Sequence, residues 1–199
     1  IAEDAQGYFW ISSRGGLIRV ARSDLEACAD GRVQHLDYLL YGLSDGLTTL
    51  AFSGGLQPAG CEMPDGKLAF ATDAGVALVD PAKLVVNQRP APVIIESVRG
   101  GERIVASGAL GGTTVRIEPG TTRLEIKYTG LSFDAPEKVH FKRRLEGLDH
   151  DWVQAGRERL AVYSYVPPGR YTFRVMAANN DNVWSVAPAV LTLEVLPHF

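Results

Sequence analysis

Apolar and polar positions alternate with period two through much of residues 123–195. In "RLEIKY", Leu124, Ile126 and Tyr128 share one face, and Arg123, Glu125 and Lys127 the other. In "KVHFKRRLEG", Val139, Phe141 and Leu145 share a face with Arg143. In "RYTFRVMAA" the face is Tyr171, Phe173, Val175 and Ala177, and in "AVLTLEV" Leu191, Leu193 and Val195 alternate with Val190, Thr192 and Glu194. Period two is the spacing of a strand with one buried face. Segments of this kind, separated by Pro, Gly and Asn turns, predict an antiparallel sandwich of about seven or eight strands. Arg143 falls on an apolar face, so it is expected to reach the sheet edge or to pair with a carboxylate.

The first 81 residues follow a different grammar. Apolar runs of four or five residues, such as "YFWIS" and "LIRV", are separated by glycine turns. Such runs are too short for core helices and predict hairpins. The grammar also repeats. "EDAQGYFWISSRGGLIRV" at 3–20 returns as "EMPDGKLAFATDAGVALV" at 62–79, with a constant offset of 59 and no gap. Glu3, Gly7, Gly16 and Val20 fall on Glu62, Gly66, Gly75 and Val79, and Phe9, Ser13 and Leu17 fall on Leu68, Thr72 and Val76. Repeated glycine-punctuated hairpins predict propeller blades or a solenoid. A blade usually takes about 40–50 residues, and the excess is assigned to 21–47. There "SDLEACADG" predicts a short helical turn, with Ser23 as N-cap ahead of Glu26 in a capping box. "DGL" at 45–47 is expected to open the second unit.

Between the two grammars, "DPAKLVVNQRPAPV" carries three prolines and no helical period, and it reads as a linker. The division is therefore 1–81, a linker at 82–91, and a sandwich at 92–199. Within the sandwich, "VPPGRY" places Tyr171 two residues beyond a Pro-Pro-Gly corner. A tyrosine there can return its hydroxyl to the corner's backbone, as in the tyrosine corner of immunoglobulin-like sandwiches. "NNDNVW" at 179–184 reads as a hairpin turn whose asparagines tolerate positive φ.

Composition narrows the function classes. The 199 residues carry a net charge of −3 and no Lys/Arg cluster, so a nucleic-acid footprint is not indicated. No apolar run approaches the ~18 residues of a membrane span, and no signal peptide is evident. Ile1 opens directly on the repeat, which suggests a piece of a longer protein. Cys28 and Cys61 either pair in an oxidising compartment or sit as small buried thiols, the second being favoured.

Candidate chemistry is sparse. The histidines are His35, His140, His150 and His198, and no HExxH, CxxC or GxSxG occurs. Asp149-His150-Asp151 is the densest ligand-like cluster, but consecutive strand residues point to alternate sides and read as a solvated turn. "NNDN" lacks the central Gly and the final Glu of a calcium loop. Gly15-Gly16 and Gly54-Gly55 lack the context of a phosphate loop. Trp10, Trp152 and Trp184 are expected to pack in cores or corners rather than to stack a sugar. No catalytic, cofactor-binding or metal-binding residue is assigned, no cofactor is expected, and the ligand-binding residues stay unassigned.

Two family resemblances rest on these segments. "GYFWISSRGGLIRV", and then "SDGL", "GGLQPAG" and "PDGKLAFATDAGVALVDP", resemble units of the two-component regulator propeller, which read roughly D-G-x-x-W-I-G-T-x-x-G-L. Gln6 departs from the usual Asp, and Ala69 from the usual Trp. "YTGLSF", "RRLEGLDHDWVQAG" and "YSYVPPGRYTFRVMAANNDNVWS" resemble the triple-tyrosine (Y_Y_Y) domain over about 124–196. Tyr163 and Tyr171 stand at family tyrosine positions, Arg143 stands where another tyrosine is usual, and Asn182 stands where Gly is usual.

The resemblance implies an all-β fold: about two blades of a partial propeller, then an immunoglobulin- or fibronectin-like antiparallel sandwich. It implies a non-enzymatic, periplasmic sensor-region fragment of a bacterial histidine kinase or diguanylate cyclase. That fragment would link the propeller to a membrane helix beyond Phe199 in a membrane-anchored parent. A small-molecule or glycan ligand would be bound mainly by absent blades. The alternative is a secreted or surface carbohydrate- or protein-binding sandwich without signalling output. Two blades cannot close a ring, so self-association, as a dimer by edge pairing or strand exchange through 1–81, or partial disorder there, is expected.

Overall fold

The computed structural model describes residues 1–55 and 58–197. Helix accounts for 9% of the residues and strand for 45%. The chain divides into two units, 1–86 and 87–199.

In the first unit, β1 (Ala2–Glu3), β2 (Tyr8–Ser13), β3 (Gly16–Ala21) and β4 (Leu39–Tyr41) form a four-stranded antiparallel sheet in sequence order. This is the make-up of a propeller blade. A second sheet follows from β5 (Gly60–Glu62), β6 (Leu68–Thr72) and β7 (Gly75–Val79). The repeat holds at the level of register. In the first sheet Phe9 faces Val20 and Ser13 faces Gly16, and in the second Leu68 faces Val79 and Thr72 faces Gly75. Even the turn bond recurs: Ser13 Oγ donates to the Gly16 carbonyl at 2.8 Å and Thr72 Oγ1 to the Gly75 carbonyl at 3.0 Å.

Among the described residues the second sheet stops one strand short. The offset of 59 carries Leu39–Tyr41, the fourth strand, onto Val98–Gly100. Those residues end the first strand of the second unit, Val93–Gly100. The two turn glycines show the same difference. Both have positive φ, 130° at Gly16 and 120° at Gly75. A Cβ on Gly16 would lie 2.2 Å from the Tyr41 carbonyl oxygen of β4, whereas one on Gly75 would meet nothing within 4 Å.

The core of this unit contains Ala2, Trp10, Leu17, Leu68 and Phe70, with Tyr41, Phe52, Ala77 and Val79 packed against them. Trp10 stacks on Tyr41 at 5.3 Å, and Phe52 meets Phe70 edge-on at 6.3 Å. The helical turn forms as α1 (Arg22–Ala29), but Ser23 does not cap it. The helix starts two residues earlier, with Ala21 at the N-cap, and the Ser23 hydroxyl turns to the Asp24 carboxylate at 3.4 Å. Arg22 instead ties the helix start to Glu3 at 2.9 Å and to Glu26 at 3.5 Å. "DGL" follows a short 3-10 turn, Leu43–Asp45, in which the Asp45 carboxylate accepts the Gly42 amide at 2.6 Å.

Among the described residues the second unit holds nine strands rather than seven or eight. They are β8 (Val93–Gly100), β9 (Arg103–Ser107), β10 (Thr114–Ile117), β11 (Leu124–Gly130), β12 (His140–Glu146), β13 (Val153–Gly156), β14 (Leu160–Tyr163), β15 (Gly169–Ala178) and β16 (Ala189–Val195). One sheet has the order β14-β11-β8-β9 and the other β10-β16-β15-β12-β13. The additional strands are of four or five residues, too short to impose a clear alternation. All neighbouring pairs are antiparallel except β10 with β16, which run parallel. Leu124, Ile126, Tyr128, Phe141, Leu145, Tyr171, Phe173, Val175, Leu191 and Leu193 all enter one core. Each such large side chain contributes about 1.5–3 kcal/mol on burial.

Candidate functional site

A cavity of ≈ 130 Å³ lies among Gly100, Arg103, Arg116, Glu118 and Thr121, below the ~300 Å³ at which ligand pockets begin.

The densest network centres on Asn179, which is fully buried directly after β15. Its amide nitrogen donates to the carbonyls of Asn87 at 2.7 Å and Arg89 at 2.9 Å. Its carbonyl oxygen accepts the amides of Asp181 and Val183, both at 2.9 Å. Two donors and two acceptor sites are thus all used. The Asp181 carboxylate accepts the Asn87 amide at 2.7 Å, and the Asn180 side-chain oxygen accepts from Asn87 Nδ2 at 3.1 Å. Asn182 sits at φ 60° in the turn that follows. "NNDN" is thus a turn, as its sequence indicates, and also a clamp on Asn87–Arg89. Sequence reading missed the clamp because the partners are 90 or more positions apart. The signal available was a run of four amide and carboxylate side chains that a two-residue turn does not need.

A second network joins Arg143, Tyr163 and Asp149. Arg143 Nη1 donates to the Tyr163 hydroxyl at 2.9 Å, and that hydroxyl donates to Asp149 Oδ2 at 3.0 Å. The same carboxylate oxygen accepts the Leu145 amide at 2.6 Å. Arg143 therefore reaches its carboxylate through a tyrosine, neither directly nor by leaving for the edge. Burial pushes the Tyr128 hydroxyl up to about 12, against the opposing charge of Arg143. Burial also raises Tyr163, with Arg143 opposing and Asp149 reinforcing. Both phenols stay neutral in any physiological medium.

The Asp149-His150-Asp151 cluster does not converge. Asp149 points to Tyr163, His150 is exposed, and Asp151 Oδ1 accepts the Trp152 amide at 2.7 Å. Among the described residues no group of three or more His, Cys, Asp or Glu could hold a metal ion. His198 lies outside the described residues. Cys28 and Cys61 are free thiols, and Cys61 is exposed rather than buried.

Trp10 is fully buried, as expected of a packing residue. Trp152 and Trp184 are only half-buried and do not belong to the core. They flank the Lys142 ammonium, which lies 5.3 Å from the Trp152 ring centre and 4.4 Å from that of Trp184. Their faces are occupied by a cation of the same chain.

In the first sheet a buried ionic network surrounds Trp10. Asp4 is 5% exposed and accepts the Gln6 and Tyr8 amides and Trp10 Nε1, the last at 2.8 Å. Arg19 is 6% exposed, lies 3.8 Å from the Asp4 carboxylate, donates to Gln6 Oε1 at 3.0 Å and stacks on Tyr8. At the offset of 59 these five positions become Met63, Asp65, Lys67, Ala69 and Leu78. The second sheet carries none of these five residues; at the Gln6 and Tyr8 positions stand Asp65 and Lys67, which pair at 2.6 Å.

The Y_Y_Y domain profile matches residues 132–196. Histidine kinase P4 of Formosa agariphila is 24% identical over 207 residues, spanning 99% of this chain and 14% of its own length. An extracellular domain assigned to a hybrid two component system of B. thetaiotaomicron shares the fold with a TM-score of 0.69 at 18% identity, over 98% of this chain and 25% of that one. A second, assigned to a one component system of the same organism, gives a TM-score of 0.51 at 17% identity, over 98% and 24%. The chain thus spans about a quarter of the solved relatives and 14% of the curated one.

Proposed function

We propose that this chain, with a Y_Y_Y match over 132–196, is part of the extracytoplasmic sensor region of a bacterial transmembrane signalling protein. The observation that carries the reading is likeness along 98% of the chain, both units included, to an extracellular domain assigned to a two component system. The second unit would connect upstream propeller sheets, which would contact a small-molecule or glycan ligand, to a membrane helix beyond Phe199. The location would be periplasmic, in a parent anchored in the inner membrane. Of the two outputs, a histidine kinase is favoured over a diguanylate cyclase by the Formosa relative named as a kinase. The clamp of Asn179 on Asn87–Arg89 supports a connecting role, since it fixes where the chain enters the sandwich.

Sequencing the coding region downstream of Phe199 tests the proposal. A run of about 20 apolar residues followed by a kinase is the expected result. A stop codon, or a hydrolytic domain with no span before it, overturns it in favour of a secreted binding module.

A further inference from the structure

The outer face of β12 carries charge that the sandwich does not balance. Phe141 and Leu145 enter the core, so Lys142, Arg144 and Glu146 alternate to the outside. Across the ladder Lys142 faces Met176 on β15 and Gln154 on β13, and Arg144 faces Arg174. Like charges set directly opposite each other destabilise a sheet. Glu146 relieves this for Arg174 alone, which it binds at 2.6 Å. Arg144 donates to the His150 carbonyl at 3.1 Å, and its Nε is buried without an acceptor. The Lys142 ammonium meets the rings of Trp152 and Trp184. Among the described residues neither Lys142 nor Arg144 forms an ion pair. Lys142, Arg144 and Arg174 thus share one carboxylate, in a chain whose net charge is −3.

These side chains belong to the second unit by itself. The incoming chain is held beside Ala178, which pairs with His140, and Arg144 lies four residues farther along β12. Trp152 stands directly before β13, the edge strand of the same sheet, and is half-buried. Val153 and Gln154, which follow it, are exposed.

We propose that this strip binds an extended acidic segment of a partner protein, whose carboxylates at positions i and i+2 pair with Lys142 and Arg144. Charge selects such a ligand, and it does so locally, since the chain as a whole repels anions. Pitch selects it further. Alternate residues of a strand lie about 6.6 Å apart, and an extended peptide repeats its own alternate side chains at the same spacing. The Arg144 guanidinium offers the planar fork that carboxylates match, and Trp152 gives the segment an apolar flank. This inference concerns the 87–199 unit and does not rest on the signalling proposal.

The test is fluorescence anisotropy of a labelled peptide that alternates Glu and Thr, titrated with the whole chain at low ionic strength. A second labelled peptide has the same composition with its glutamates grouped. The expected result is saturable binding that salt weakens and that is several-fold tighter for the alternating peptide. Lys142→Met keeps an unbranched apolar stem between the two rings and should weaken binding several-fold, as should Arg144→Gln. Arg103→Gln, at an exposed position of the same unit, should leave it unchanged; circular dichroism checks that each variant folds. If Arg144→Gln fails to fold, Lys142→Met against Arg103→Gln still decides. No saturable binding overturns the proposal, as does an affinity that Lys142→Met leaves intact. Equal affinity for the two peptides overturns it too, because charge alone would then account for the binding. Tighter binding of polygalacturonate than of the alternating peptide would assign the strip to an acidic glycan instead.

Discussion

The Tyr171 hydroxyl donates to the carbonyl of Pro167 at 2.9 Å, four residues back along the chain. The bond closes the Pro-Pro-Gly corner onto the strand it feeds. Tyr171 is 9% exposed, so its hydroxyl could not easily be served by water instead. Removing that group with Tyr171→Phe should cost about 1 kcal/mol. The midpoint of urea unfolding measures this, and an unchanged midpoint would show that the corner closes without the bond.

The Asn179 clamp gives a second prediction. Asn179→Ala leaves the Asn87 and Arg89 carbonyls and two turn amides without their partner. A buried polar group left unpaired costs about 1–3 kcal/mol. Hydrogen exchange should show the Asn87 amide taking up deuterium sooner than in the wild type. Protection equal to wild type would mean that the Asp181 and Asn180 bonds hold the segment alone.

The buried phenols predict an alkaline limit. Tyr128 has its pKa raised in the folded protein from 10.0 to about 12. A raised folded value means that the native state holds its proton more tightly than the unfolded chain. The associated stability is therefore fully present below about pH 10 and is lost as pH rises toward 12. Two pH units correspond to about 3 kcal/mol. Unfolding free energy measured between pH 9 and about 12 should fall, and Tyr128→Phe should flatten part of that slope. A slope unaffected by the substitution would assign the alkaline loss to other groups.

Asp4 is the acceptor at the centre of the first sheet's network. Asp4→Ala leaves Arg19 buried without a carboxylate and Trp10 Nε1 without an acceptor. Breaking a buried pair by removing one partner costs about 3–5 kcal/mol. Hydrogen exchange in β2 and β3 should accelerate strongly while β15 and β16 stay protected. Uniform protection in both units would contradict a network that belongs to one sheet.

The sequence revealed what the backbone period or a local turn dictates. Leu124, Ile126 and Tyr128 had to share a face, and Tyr171 sits close enough to its corner to be recognised from spacing alone. The 59-residue repeat was equally plain, though the pairing of Phe9 with Val20 emerged only from the structure. Partners distant along the chain were not legible. Arg143 was placed correctly on the inner face, but Tyr163 is twenty positions away, and nothing local names it as the acceptor. Asn179 and Asn87 are separated by 92 positions. Trp152 and Trp184 were misassigned because aromatic bulk predicts burial without saying which sheet face a residue occupies. Ser23 matched a capping-box pattern, but the helix began two residues earlier, where Arg22 could bind Glu3.

The clamp and the strand register together fix how tension would run through the sandwich. Asn87 is held at the Ala178 end of β15, and β16 leaves at Val195, opposite Gly169 at the other end. Ten residues of strand separate these points, roughly 30 Å at about 3.3 Å per residue. A pull between the incoming connector and the outgoing strand therefore acts along the strands, in shear. Shear strains the seven β15–β16 residue pairs at once, whereas peeling from one end would break them in turn.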